Sequence, residues 1–164
     1  MILVVECIVA CVIFTLVILP SLYKEPIKHI MSYPLAIRKR VESLPQYKDI
    51  IQAKKKRHLT IKIIAIFVFV IILAAGAYLS GAKSFSEAYL HVFTLFLVVN
   101  VYDMLVLDIG IFCHSKKTRI PGTEDMDKEY RSPLHHVRGA VIGIIIGAVV
   151  ALIAGGIVYF VSVL

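Results

Sequence analysis

The chain has 164 residues, 59% of them hydrophobic and 18% charged, with no tryptophan and a formal net charge of +7. Soluble domains are nearer ~45–50% apolar, and here the excess is gathered into blocks, which excludes an ordinary water-soluble globular domain. Three cysteines, Cys7, Cys11 and Cys113, with no C-x-x-C pair, argue against a disulfide framework.

The first apolar block covers residues 2–22, broken only by Glu6 and Pro20. No Lys or Arg precedes it and the first is Lys24, so it lacks the basic n-region of a signal peptide and reads as a retained transmembrane helix. Cys7 and Cys11 sit within it at i and i+4 as small apolar residues. Residues 23–60 follow, with ten Lys or Arg against three acids. Ile27, Ile30, Met31 and Leu35, then Ile37, Val41 and Leu44, recur at helical spacing between Pro26, Pro34 and Pro45. With Lys28, Arg38, Lys39 and Arg40 beside them, these stretches predict amphipathic helices, lying in the membrane interface or packed on neighbouring protein.

After Pro45 the pattern predicts one long helix through Lys54, Lys55, Lys56 and Arg57 into a second apolar block, 61–82. That basic cluster suits anionic lipid headgroups rather than nucleic acid, because a position beside a membrane already accounts for its charge. A short link near Lys83–Glu87 leads to the third block, 88–113, which carries His91, Asn100, Asp103 and Asp108. Residues 114–136 form a second polar loop with five Lys or Arg against four acids. Pro121-Gly122 there suits a type II turn. Thr123 is placed to cap a short helix whose first turn holds Glu124, Asp125 and Asp127. The fourth block, 137–162, has one charge, Arg138.

Each block meets the ~20 residues needed to cross the hydrocarbon core, and none alternates as a barrel strand would. The predicted fold is all-α: an integral membrane bundle of four transmembrane helices, with amphipathic cytoplasmic helices in the first loop, as a single membrane domain over 1–164. Both basic loops fall on one side. The positive-inside rule makes that side the cytoplasm of a plasma membrane and puts both termini outside.

The strongest chemical signal is the trio Asn100, Asp103 and Asp108. Asn100 and Asp103, at i and i+3, share a helix face. In an α-helix Asp108 would be turned about 140° away from Asp103. An acid inside a span costs roughly 2.5–3.5 kcal/mol on insertion scales, so it faces the bundle interior or a wet cavity. Such a set serves as a proton-relay, ion or headgroup site, or structurally through interhelical hydrogen bonds and ion pairs to Lys62 or Arg138. Glu6 and His91 are weaker candidates near the outer interface. Cys113, His114, His135 and His136 meet at one membrane surface, but adjacent helical residues diverge by about 100°, so no metal site is assigned. Gly139, Gly143, Gly147, Ala151 and Gly155 form a small-xxx-small stripe for close helix packing, within the chain or to a second copy or another membrane protein.

The run Asn100-Val-Tyr-Asp103 through Asp108 to Phe112-Cys113, then Ile120-Pro121-Gly122-Thr123-Glu124-Asp125-Met126, His135, His136 and Gly139, resembles a family of small multi-span bacterial membrane proteins of uncharacterised activity. The likeness covers about residues 96–145. It implies a bacterial plasma-membrane protein and brings no cofactor or established site.

No G-x-S-x-G, H-E-x-x-H or P-loop motif is present. The expected function is therefore a non-enzymatic accessory or lipid- or partner-binding membrane protein without a cofactor. The alternatives are a small proton- or ion-coupled transporter using Asp103 or Asp108, and a membrane enzyme acting on a lipid headgroup at the cytoplasmic face.

Overall fold

The computed structural model describes residues 2–164, except the side chains of residues 52–63. Regular structure among the described residues is helical throughout: α1 (Ile2–Lys24), α2 (Leu35–Ser43), α3 (Lys48–Leu79), α4 (Phe85–Tyr102), a π-helix (Asp103–Phe112) continuing α4, α5 (Asp127–Arg131) and α6 (Leu134–Val163), with short 3-10 turns between them. Among the described residues, three helical stretches are long and apolar enough to cross a membrane: Ile2–Lys24, Phe85–Phe112 and Asp127–Val163. A shorter apolar stretch, Ile64–Leu79, ends α3. The third span thus begins three residues before its sequence estimate, because Ser84 and Glu87 form a reciprocal capping box at its start.

The turn from α3 to α4 is tight. Gly81 takes φ +104°, and the Ala82 N–H donates to the Ala77 carbonyl at 3.0 Å, closing α3 with a Schellman-type cap. This makes α3 and α4 close neighbours. Beyond them α6 packs on both, and α1 leans on the outer side of α4. The bundle core is built from Val70, Leu73, Ala74 and Ala77 of α3, Ala88 and Val92 of α4, and Val150, Ala151, Ala154 and Val158 of α6. Most of these side chains are small, which lets backbones approach in a medium that offers no hydrophobic drive between helices.

The small-residue stripe of α6 is used inside the chain. A Cβ added at Gly143 would run into the Asn100 side chain, one at Gly147 into Phe96, and one at Gly155 would lie 3.1 Å from the Phe85 carbonyl oxygen. Gly139 faces open space.

The two polar loops do not lie apart. They fold together as a cap at one end of the bundle, around Ile30, Tyr33, Ile37, Val41, Ile51, Phe112, Cys113, Ile120 and Tyr130. Ile37 and Val41, the apolar face of α2, are fully buried there, so that face packs on protein. Tyr33, Phe112 and Tyr130 meet edge-on or tilted at 4.8–6.0 Å between ring centres. The Tyr33 hydroxyl donates to the Thr118 carbonyl at 2.7 Å, and burial pushes its phenol above the usual value.

The Ile120-Pro121-Gly122-Thr123 segment locks this cap. Gly122 has φ +88° and the Thr123 N–H donates to the Ile120 carbonyl at 3.2 Å, the geometry a type II turn requires. Arg40 and Tyr47 donate to the Gly122 and Pro121 carbonyls. Thr123 does not cap α5, whose N-cap is Met126. Its hydroxyl is buried instead, donating to the Ile120 carbonyl at 2.6 Å and meeting the Tyr130 hydroxyl at 2.8 Å. The Tyr130 hydroxyl also accepts from the Ile120 N–H, so the phenol ties the turn to α5.

Candidate functional site

The π-helix alters the face relationship of the intramembrane acids. Its hydrogen bonds run from residue i+5 back to residue i, as from the Cys113 N–H to the Asp108 carbonyl at 2.9 Å. Residues five apart then lie nearer to one face, so Asp103 and Asp108 are turned from each other by less than the roughly 140° of an α-helix. Gly110 makes room for the widened turn, since a Cβ there would lie 3.2 Å from the Leu105 carbonyl oxygen.

Asp108 reaches α6. Its Oδ2 lies 3.0 Å from His136 Nδ1, and the His136 side chain is only 3% exposed against 32% for Asp108. His136 Nε2 is buried and has no hydrogen-bond partner. The imidazole packs edge-on against Phe112 at 5.0 Å, which joins the dyad to the aromatic core of the cap. Asp103 lies in the electrostatic reach of both Asp108 and His136. Asn100, one turn before it, donates to the Ala140 carbonyl at 3.3 Å and fills the notch left by Gly143. Of the trio read from sequence, Asn100 and Asp108 are thus joined to α6, Asp108 through a histidine that adjacency arguments placed among the weaker candidates.

Of the two ion pairs considered for these acids, only the one with Arg138 falls on described residues. Arg138 is exposed and pairs with neither acid among the described residues. The Lys62 side chain, like those of Lys54, Lys55, Lys56 and Arg57, lies outside the described residues.

Glu6 and His91 also come together. Glu6 Oε2 lies 2.7 Å from His91 Nε2, and Ser80 donates to the same carboxylate, so α1, α4 and the end of α3 are pinned at the end of the bundle away from the cap. Between the two polar ends, Thr15 and Tyr102 join α1 to α4 through hydroxyls 2.7 Å apart. An open apolar groove of about 550 Å³ runs beside that seam, lined by Cys7, Cys11, Thr94, Val98 and Tyr102 among others. It contains none of the acids.

The remaining sequence candidates are dispersed. His114 is exposed, with Nδ1 2.9 Å from the Ile109 carbonyl, and His135 turns toward the Ser32 carbonyl at 3.1 Å. Cys113 is buried in the cap core. No group of three His, Cys, Asp or Glu among the described residues has the arrangement to hold a metal ion. The cap acids are occupied as well. Glu124 accepts from the Gly122 N–H at 2.9 and 3.0 Å, which holds its carboxyl below the usual value. Asp125 faces Arg40 at 3.5 Å, and Asp127 bridges Arg119 at 3.2 Å and Arg131 at 3.3 Å. Arg119 in turn stacks over the Tyr130 ring at 4.0 Å.

Sequence reasoning missed three features. The capping box was written in Ser84-Phe-Ser-Glu87 and was open to inspection. The His136–Asp108 pairing had no sequence signal, because it depends on which face of α6 meets the third span. The π register had none either, beyond a glycine near the end of an apolar run. No family model, curated protein or solved structure matches this chain.

Proposed function

We propose that this chain is a four-span, non-enzymatic plasma-membrane protein whose cap holds anionic lipid headgroups at the cytoplasmic surface. The observation that carries the reading is the distribution of charge on the cap. Glu124, Asp125 and Asp127 are engaged by partners within the cap. Lys39, Lys48, Lys116, Lys117 and Lys128 remain exposed. Cations at a membrane surface each contribute about 1 kcal/mol toward anionic lipid. A headgroup enzyme would need those loop acids beside Asp108, and they hold the loop together instead. The fourth span is the apolar end of α3, extended toward Lys62, and the cytoplasmic side is the one that carries the basic loops. The resemblance of residues 96–145 to small bacterial membrane proteins agrees with this location.

Lipid retention tests it. Native mass spectrometry from mixed phosphatidylglycerol and phosphatidylcholine nanodiscs is expected to show preferential retention of phosphatidylglycerol. Lys39→Gln, Lys116→Gln and Lys117→Gln together are expected to remove the preference. Equal retention of both lipids by the unmodified protein rejects the reading. Impermeant thiol labelling of a cysteine placed at Lys117 tests orientation, and labelling from outside intact cells would invert it.

A further inference from the structure

We propose that the groove between α1 and α4 binds an acyl chain of a phospholipid in the leaflet remote from the cap. The two helices run side by side, and polar contacts join them at two levels. Glu6 Oε2 meets His91 Nε2 at 2.7 Å near one end, with the Ser80 hydroxyl on the same carboxylate. Thr15 and Tyr102 meet through hydroxyls 2.7 Å apart, past the middle of the 23 residues of α1. Between these contacts the packing is incomplete and leaves the apolar groove of about 550 Å³. Only Cys7 and Leu22 of α1 are buried, so most of this helix turns its side chains to the surrounding medium. Val4, Ile8 and Val12 line the groove and are 62%, 60% and 52% exposed. Both α1 and Phe85–Phe112 are long and apolar enough to cross a membrane, so the medium at this groove is hydrocarbon.

Depth and width select the occupant. From Leu3 to Val12 the groove runs about 14 Å along α1, close to the ~15 Å of hydrocarbon in one leaflet. It stops at Tyr102, and no residue nearer the cap lines it. A helix of a second copy or of another membrane protein would run the full depth of about 30 Å. Averaged over its length, the groove is about 40 Å² in cross-section, against about 80–110 Å² for a helix 10–12 Å across. A hydrocarbon chain is narrow enough to enter, and it supplies the dispersion contacts that the lining otherwise lacks. Water does not compete, because an apolar cavity stays dry. Cys7 and Cys11, one turn apart in the lining, have short side chains that leave the space open. The polar contacts at the two levels pin the helices around it. This inference rests on the bundle lying in lipid and does not depend on what the cap binds.

A phosphatidylcholine carrying a diazirine midway along one acyl chain tests this on the full chain in nanodiscs, and its neutral headgroup keeps the cap out of the measurement. After irradiation, peptide mass spectrometry is expected to find labelling at Cys7, Cys11, Thr94 and Val98 several-fold above that at Ile145 and Val149, which are exposed on α6. Cys11→Phe with Val98→Phe fills the groove and is expected to bring its labelling down to the α6 level, with the thermal unfolding midpoint as the check on folding. Should that pair fail to fold, Cys11→Leu alone is expected to lower the enrichment. Equal labelling of the groove and of α6 in the unmodified protein overturns the proposal. Oxidative cross-linking of Cys11 to Cys11 between two chains, with lipid labelling absent, also overturns it and gives the groove to a second copy. Labelling by a diazirine fatty acid but not by the phospholipid overturns the assignment to a phospholipid. Lys39→Gln, Lys116→Gln and Lys117→Gln together are expected to leave the enrichment unchanged, so this inference and the headgroup reading of the cap fail separately.

Discussion

Asp108 in the third apolar span and His136 at the start of α6 meet at 3.0 Å, where the bundle passes into its folded cap. The contact joins an acid in a span to the aromatic cluster of Phe112, Tyr33 and Tyr130. Its loss is felt on both sides, because the histidine is almost fully buried and has no alternative partner. His136→Ala is expected to destabilise the protein by about 1.5–3 kcal/mol, the range for hydrogen bonds to charged groups. Thermal unfolding in detergent checks this, and an unchanged midpoint would show the contact to be incidental.

Gly122 is constrained twice. Its φ of +88° is unfavourable for a side chain, and a Cβ there would lie 2.7 Å from Leu44 Cδ1. Gly122→Ala is expected to cost about 1–3 kcal/mol through backbone strain and to open the cap to limited proteolysis. Leu44→Ala alongside it removes the steric part but not the φ penalty, so only partial recovery is expected. Full recovery would place the whole effect in the collision.

The glycines of α6 separate into two classes. Gly143→Leu and Gly147→Leu are expected to spread α6 from α4, because Asn100 and Phe96 occupy their notches. Gly139→Ala and Gly156→Ala face open space and are expected to be neutral or slightly stabilising through helix propensity. Cysteine cross-linking between α4 and α6 distinguishes them. A uniform response across the four positions would contradict this division.

Acid should loosen the cap before the bundle. Glu124 is held below its ordinary value of 4.5 chiefly by the Gly122 N–H. A carboxyl depressed on folding contributes stability above its unfolded value, and that contribution is lost as pH falls through the folded value. Cap protection from proteolysis is thus expected to decline below about pH 4.5, and Glu124→Gln is expected to flatten that part of the profile. An identical acid profile in the variant would assign the loss to other groups.

Four apolar blocks, the spacing of Ile37 and Val41, the Pro121-Gly122 turn and the stripe of small residues were all legible in the chain. They are local patterns, set by periodicity, by the length a bilayer demands and by the backbone that glycine alone tolerates. Asn100, Asp103 and Asp108 were legible as candidates for a related reason, since acids stand out against an apolar run. Their arrangement was not legible. An α-helical reading turns Asp108 well away from Asp103, and only the widened π turn brings it nearer the same face.

The helical, membrane-type character of this protein was determined by sequence alone, because burying long apolar runs in lipid is a property of composition and length. Tertiary structure alone decided that His136 meets Asp108, that Glu6 finds His91, and that the two loops close into one cap. Those outcomes depend on which faces of distant helices meet, and that choice is made by packing across the whole molecule rather than by any stretch of neighbouring residues.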